Sequence, residues 1–285
     1  MKRILLPTDF SENAYNAISY AVQLYRDVEC EFYLMHTFTP STSSAHAGGL
    51  FDAYSALKLQ EIEQATAKRQ LKKIEARLQK DYPNANHSYF SIASFNLLVS
   101  EMKNLISEKD IDVVIMGTKG ATGAKEIFIG TNTMYAIKKL KCPVIAVPSD
   151  FKYETPKEIL FPTDYKLNKS NKYLPLLRSF CDEHNSRLHI LNAYYSVPLD
   201  EKQEEVKAFL DDFFTGSAHL FHIAEGQDLI EAIEAFETKH KVNFLVMIHN
   251  KHNLFENILF RPIINQMVYH TNVPFLVIPS VERMK

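Results

Sequence analysis

Two short segments of this chain occur twice, and this repetition restricts the possible folds more than any other feature of the sequence. Residues 3–9 (RILLPTD) correspond to residues 158–164 (EILFPTD), and residues 142–148 correspond to residues 273–279. A similar run of apolar and amphipathic stretches separates the two members of each pair. Such self-similarity indicates two copies of one domain.

The positions of the repeated segments set the expected domain limits. A first domain is predicted at 1–148 and a second at 157–281, joined by a polar linker that contains a proline. A chain of 285 residues is long enough for two domains of ordinary size.

Within each copy, short apolar runs alternate with amphipathic stretches. Short, continuously apolar strands between helices are typical of a parallel sheet covered on both faces, so each domain is predicted to be α/β. In the second copy the pattern predicts a first helix over residues 168–184. Ligands of such folds bind at the carboxyl ends of the strands, where Asp9, His36 and Gly117 are expected to meet.

Glycines are concentrated in one stretch of the first copy. The chain has eight glycines, and four of them are Gly117, Gly120, Gly123 and Gly130. They lie between an apolar strand at 113–116 and a helix predicted to start near Thr131. Glycine lets a ligand approach the backbone, and a helix start presents amide donors and the positive end of the helix dipole. No acidic residue occurs from Gly130 to Leu140, so the stretch predicts a phosphate cradle.

Other kinds of site fit the sequence less well. Residues 123–126 (GAKE) do not complete a Walker A loop, and no Gly-x-Gly-x-x-Gly follows a strand. His249 and His252 have metal-ligand spacing, but no further ligand lies near them in sequence, so no metal site is predicted. No catalytic triad or activated nucleophile is recognisable, and no catalytic residue is predicted.

Composition excludes several classes of function. The net charge is −2, no basic block is present, and no apolar run approaches the roughly 20 residues of a membrane span, so neither nucleic acid nor membrane is an expected partner. The three cysteines are isolated and are predicted to be reduced. With no signal-peptide pattern at the start, a cytoplasmic location is expected.

Three motifs of the first copy resemble those of the universal stress proteins. Gly117-x2-Gly120-x9-Gly130-Thr131 is similar to the family's nucleotide-binding signature, residues 4–11 to its first strand, and residues 142–144 to the start of its last strand. With its two copies, the chain is identified as a tandem two-domain member.

The resemblance implies two Rossmann-like domains of the adenine nucleotide alpha hydrolase type. Each would have a five-stranded parallel sheet of order 3-2-1-4-5, and one branch of the family binds ATP, with or without Mg²⁺. In that branch Asp9 would meet the adenine, His36 or Thr37 would line the base, and the glycines would hold ribose and phosphates. The full set of implied site residues is Pro7, Thr8, Asp9, His36, Thr37, Met116, Gly117, Thr118, Gly120, Gly130, Thr131, Asn132 and Thr133.

The second copy lacks the features of this site. Its counterpart of the glycine-rich stretch, residues 247–262, contains no glycine, so one nucleotide per chain is expected. Asp164 repeats the context of Asp9 and is interpreted as a turn and helix-capping residue.

The expected function is that of a stress-response, regulatory nucleotide-binding protein. Two alternatives stay open: a nucleotide-free scaffold that binds a protein partner, and a slow ATPase. In the family the last strand joins two domains, so residues 144–147 and 275–278 are expected to pair within the chain. A further homodimer is left open.

Overall fold

The structure is a computed structural model, and it describes residues 1–39, 50–118, 130–192, 198–224, 229–249 and 272–279. The chain forms two compact units, which divide between Cys142 and Pro143. This division does not test the domain limits predicted from the repeats, 1–148 and 157–281, and those limits remain a proposal.

The first unit is a parallel sheet with strand order β3-β2-β1-β4. Helices connect its strands, as the alternating pattern predicted. In chain order its elements are β1 (Lys2–Pro7), α1 (Glu12–Leu24), β2 (Cys30–Phe38), α2 (Leu50–Asp81), β3 (His87–Phe95), α3 (Leu98–Glu108), β4 (Val113–Gly117) and α4 (Thr131–Lys139).

The second unit has strand order β5-β10-β9-β6-β7-β8. All neighbouring strands are parallel except β5 and β10, which run antiparallel with Phe275 opposite Ala146. In chain order its elements are β5 (Val144–Val147), β6 (Glu158–Pro162), α5 (Leu174–His184), β7 (Arg187–Asn192), α6 (Glu201–Phe213), β8 (His219–Ile223), α7 (Leu229–His240), β9 (Phe244–His249) and β10 (Phe275–Pro279).

The predicted fold class is confirmed. In the second unit β8, β7, β6, β9 and β10 reproduce the order 3-2-1-4-5 in full. In the first unit the four strands follow the same order, and β5, the fifth strand of the first copy, is counted with the second unit.

Strand β1 is continuously buried from Ile4 onward and β6 from Ile159 onward, so both faces of these central strands are covered. Ile4, Leu5 and Leu6 of β1 are fully buried, and so are Ile159 and Leu160 of β6. Continuous burial of this kind is expected of parallel strands and explains why their sequences do not alternate.

Helix α5 begins at Leu174, later than the predicted start at residue 168. The Asn168 side-chain oxygen accepts a hydrogen bond from the Ser170 amide, and that of Asn171 accepts one from the Tyr173 amide. Asparagine side chains that bond the backbone two residues on favour turns over helix. Because of these two turns, the helix begins at a later residue than predicted.

Candidate functional site

The first unit has a cleft at the carboxyl ends of β1, β2 and β4, next to the start of α4. Its cavity volume is about 240 Å³, somewhat below the roughly 300–1,000 Å³ usual for small-molecule pockets. The residues that line it are Pro7, Thr8, Asp9, Ala14, His36, Thr37, Leu98, Met116, Gly117, Gly130, Thr131, Asn132 and Thr133.

This lining brings together eleven of the thirteen residues expected from the sequence. Of the other two, Gly120 lies outside the described residues, and Thr118 is buried beside the cleft, where its carbonyl accepts the Gly130 amide. Whether the eleven bind a nucleotide stays a prediction.

Asp9 lies in a short turn between β1 and α1. Its Oδ1 accepts hydrogen bonds from the Ser11 amide at 3.0 Å and the Ser11 hydroxyl at 2.6 Å. Ser11 Oγ in turn accepts the Ala14 amide at 3.2 Å and is the N-cap of α1. The carboxylate is therefore held in place by the helix cap, yet the residue is exposed at the cleft.

His36, near the end of β2, is attached to the same turn. Its Nδ1 lies 2.7 Å from the Thr8 carbonyl oxygen, and its ring packs on Phe10 with 4.2 Å between centroids. A carbonyl can only accept, so Nδ1 carries the proton, and in the neutral ring Nε2 has a lone pair. The ring thus offers an acceptor as well as an apolar face.

The start of α4 has the local features from which the sequence predicted an anion site. Gly130 is the N-cap, makes no side-chain cap bond, and is followed by a first turn without acidic residues. Thr131 and Asn132 are exposed there. Among the described residues that line the cleft, Asp9 is the only acidic one and none is lysine or arginine. An anion would therefore be held by helix-end amides and the dipole, at the end of the cleft formed by α4.

Thr133 has a structural role in this arrangement. It is 2% exposed, and its hydroxyl donates to the Gly117 carbonyl at 2.7 Å. This bond ties the first turn of α4 to the end of β4. The hydroxyl is thus used in joining helix to strand, whereas the neighbouring Thr131 faces solvent.

Two lining residues, Ala14 and Leu98, were not anticipated. Ala14 lies in the first turn of α1, where a small side chain leaves the cleft open above Asp9. The N-cap pattern around Ser11 could have indicated it, because the first helical turn must follow Asp9 closely. Leu98 starts α3, and its presence at the cleft depends on long-range packing that no local pattern signals.

The second unit uses the corresponding strand ends differently. Asp164 is 5% exposed, and its Oδ1 accepts the Lys166 amide at 3.0 Å, as expected of a turn residue. The expected helix-capping role is wrong, because the next helix, α5, begins only at Leu174 and has Tyr173 as its N-cap. Gln203 of α6 is also buried and donates from Nε2 to the Asp164 carbonyl at 2.8 Å. In the second unit, side chains thus cover Asp164, whereas its counterpart in the first unit, Asp9, is exposed to solvent. Most of the glycine-free stretch, residues 250–262, lies outside the described residues.

Three histidines of the second unit, His189, His222 and His240, lie close together. His189 Nδ1 is 3.0 Å from His222 Nε2, and His189 Nε2 is 2.7 Å from Glu158 Oε2. The His240 ring lies 5.1 Å from that of His189 and stacks on Phe236 at 4.0 Å. Among the residues that the structure describes, no group of three ligands is placed to hold a metal ion. His252 lies outside the described residues.

Burial dominates the electrostatics of this cluster. Desolvation lowers the pKa of His222 below the ordinary histidine value, and the charges of His189, His240 and Lys239 lower it further. Desolvation, then His189 and Lys239, also lower the pKa of His240, while Glu158 opposes the shift. The neutral imidazole is therefore favoured at His222 and at His240. The three cysteines are free and buried, as predicted.

Relatives in sequence match about half of the chain. The universal stress protein MJ0531 of Methanocaldococcus jannaschii is 26% identical over 147 residues, which are 51% of this chain and 81% of that protein. Universal stress protein MJ0577 of the same organism is 25% identical over 158 residues, covering 51% of this chain and 94% of the relative.

Solved structures resemble the whole chain. A universal stress protein from Archaeoglobus fulgidus has a TM-score of 0.62 at 18% identity, with 98% of this chain and 96% of that chain covered. The functionally unknown protein PA1789 from Pseudomonas aeruginosa has a TM-score of 0.59 at 13% identity, with 100% and 94% covered. At these identities the likeness concerns the fold.

The family assignment rests on the first copy. No helix in the described part of the chain is both long and apolar enough to cross a membrane. The model of the Universal stress protein family matches residues 1–148, which include both the open cleft and its glycines. The chain therefore belongs to the Universal stress protein family.

Proposed function

We propose that the first unit binds ATP in the cleft between Asp9 and the start of α4, and that the protein acts as a nucleotide-binding regulator in the stress response. The observation that carries the proposal is that one cleft holds an exposed carboxylate at one strand end and an uncapped helix start at another. A cytoplasmic location accompanies the proposal.

The charges of the cleft favour one orientation of the nucleotide. Phosphates are repelled by the Asp9 carboxylate and attracted by the amides of Thr131 and Asn132 at the positive end of α4. The base and ribose would therefore lie toward Asp9, which can accept hydrogen bonds from an amine or hydroxyl. Mg²⁺, if it accompanies ATP, would be held mainly by the phosphates, because the described lining of the cleft offers it one carboxylate, that of Asp9.

The second unit is proposed as a partner without nucleotide. Buried Asp164 and Gln203 support this, since a ligand there would have to replace hydrogen bonds already made inside the protein. The antiparallel pairing of β5 with β10 supports the further proposal that the last strands of the two copies join within one chain.

Calorimetry with ATP tests the proposal directly. The unaltered protein is expected to bind one ATP per chain, and Gly117→Asp should abolish binding because it adds a side chain and a negative charge at the end of β4. Asp27→Ala is a matched control, because Asp27 is an exposed carboxylate of the same unit that does not line the cleft. Absence of binding by the unaltered chain at millimolar ATP would refute the proposal.

A further inference from the structure

The turn that carries Asp9 contains a strained residue. Phe10, directly after Asp9, has φ 67°, in the left-handed region that non-glycine residues rarely adopt. Left-handed backbone costs a non-glycine residue roughly 1–2 kcal/mol, so the turn needs contacts that compensate for it. Within the turn, the Phe10 amide donates to Thr8 Oγ1 at 3.0 Å.

His36 holds this turn from both sides of Asp9. Its Nδ1–H donates to the carbonyl of Thr8, the residue before Asp9, at 2.7 Å. Its ring packs against Phe10, the residue after Asp9, with centroids 4.2 Å apart. One side chain therefore contacts both neighbours of the carboxylate, across 28 positions of sequence.

The second unit repeats one half of this arrangement with a different residue. The amide of Thr8 donates to the Met35 carbonyl in the first unit, and that of Thr163 donates to the Leu191 carbonyl in the second, both at 2.8 Å. Asn192 follows Leu191 as His36 follows Met35. Its Nδ2 donates to the Thr163 carbonyl at 3.0 Å.

The counterpart of Phe10 in the second unit is also left-handed. Tyr165 has φ 57° and is 2% exposed. In both copies, therefore, a side chain donates a hydrogen bond to the carbonyl two residues before the left-handed residue: His36 to Thr8 in the first copy and Asn192 to Thr163 in the second. Asparagine is a workable substitute for histidine in this bond, and the substitution is already present in the same chain.

We propose that His36 is a positioning residue for nucleotide binding: by bonding the Thr8 carbonyl, it holds the strained turn that presents Asp9 to the cleft. The inference rests on the proposed ATP binding and concerns how the site is kept in shape. It assigns the effect to the hydrogen bond of Nδ1, which asparagine can replace, and not to a contact between the ring and the ligand.

The test compares ATP affinity by calorimetry in three forms of the full chain. Losing a hydrogen bond that shapes the site should weaken ATP binding about threefold to tenfold in His36→Ala. His36→Asn should recover most of that affinity, because it supplies the bond seen at Asn192. An affinity of His36→Ala equal to that of the unaltered chain, or an Asn variant as weak as the Ala variant, would overturn the proposal.

A double-mutant cycle shows whether His36 acts through Asp9. In an Asp9→Ala background, His36→Ala should change ATP affinity by less than about twofold, because the group that it positions is gone. A full additional threefold to tenfold loss in that background would refute the positioning role.

His87→Ala is the matched control. His87 also bonds a carbonyl, that of Tyr25 at 3.1 Å, and also packs on a phenylalanine ring, that of Phe32 at 4.9 Å. His87 is the first residue of β3 and pairs with Cys30 at the start of β2, so it lies at the amino ends of the strands, whereas the cleft is at their carboxyl ends. This variant should lower stability and leave ATP affinity unchanged.

Amide hydrogen exchange of the ligand-free protein separates this inference from the proposed function. His36→Ala should accelerate exchange at the Phe10 and Ser11 amides about threefold or more, while His36→Asn and His87→Ala should not. If the unaltered chain binds no ATP, the proposed function fails, and the exchange rates alone decide whether His36 holds the turn. Unchanged exchange in His36→Ala overturns the inference.

Discussion

Thr131→Asp should separate the stability of α4 from the binding of a phosphate at its start. Thr131 is the first residue of α4, is exposed, and is part of a first turn that has no acidic residue. An aspartate there interacts favourably with the helix dipole and should raise the free energy of unfolding by about 0.3–1 kcal/mol. The same charge should oppose an anion bound at the same amides.

The size of the binding effect follows from Coulomb's law. Two like unit charges about 4 Å apart repel by about 1 kcal/mol in water and about 4 kcal/mol at an effective dielectric constant of 20. Because Thr131 is exposed, a value of about 1–2 kcal/mol is appropriate, which corresponds to roughly fivefold to thirtyfold weaker ATP binding.

Thr131→Asn is the control, since it has the shape of aspartate without the charge. Calorimetry with ATP and urea unfolding of both variants measure the two effects on the same proteins. We expect the aspartate variant to be the more stable and the weaker binder. Equal ATP affinity of the two variants would refute the reasoning that phosphate binds at the start of α4.

Three further predictions concern the rest of the molecule. The pKa values of His222 and His240 are lower in the folded than in the unfolded chain, so the unfolded chain binds protons more readily. The free energy of unfolding should therefore have its full value above about pH 6.5 and fall as the pH drops below that. Urea unfolding at several pH values should show that this free energy depends less on pH in a His222→Asn/His240→Asn double variant. Gln203→Ala should lower the free energy of unfolding by about 1–3 kcal/mol, because it removes the hydrogen bond to the Asp164 carbonyl and the capping box at the start of α6. Calorimetry should still find one ATP per chain in this variant. Burial, with a smaller contribution from Asp182, raises the pKa of Cys181 to about 12, so a thiol reagent at pH 8 should react with this residue only after unfolding in urea.

The features that the sequence predicted correctly are those encoded locally or by repetition. The α/β class follows from short apolar runs between amphipathic ones. Likewise, the helix starting at Thr131 follows the glycine-rich stretch that ends at Gly130, as predicted. Where local turn chemistry was overlooked, as at Asn168 and Asn171, the predicted helix started too early.

The convergence of Asp9, His36 and Gly117 on one edge could be predicted because parallel strands end together. Individual roles within the cleft could not. His36 was expected to line the base, and nothing in its neighbourhood indicated a bond to the Thr8 carbonyl. Leu98 was missed for the same reason, since its position depends on how α3 packs.

By itself, the sequence indicated two related copies, an α/β fold for each, and a glycine-rich stretch that is present in the first copy and absent from its counterpart in the second. These properties depend on composition, period and short motifs, which act within a few residues. Only the tertiary structure decided that Asp9 is exposed while Asp164 is buried, and that β5 pairs antiparallel with β10. The physical reason is that these outcomes depend on contacts such as that of Gln203 with Asp164, 39 positions apart, which form only when the whole sheet and its helices have assembled.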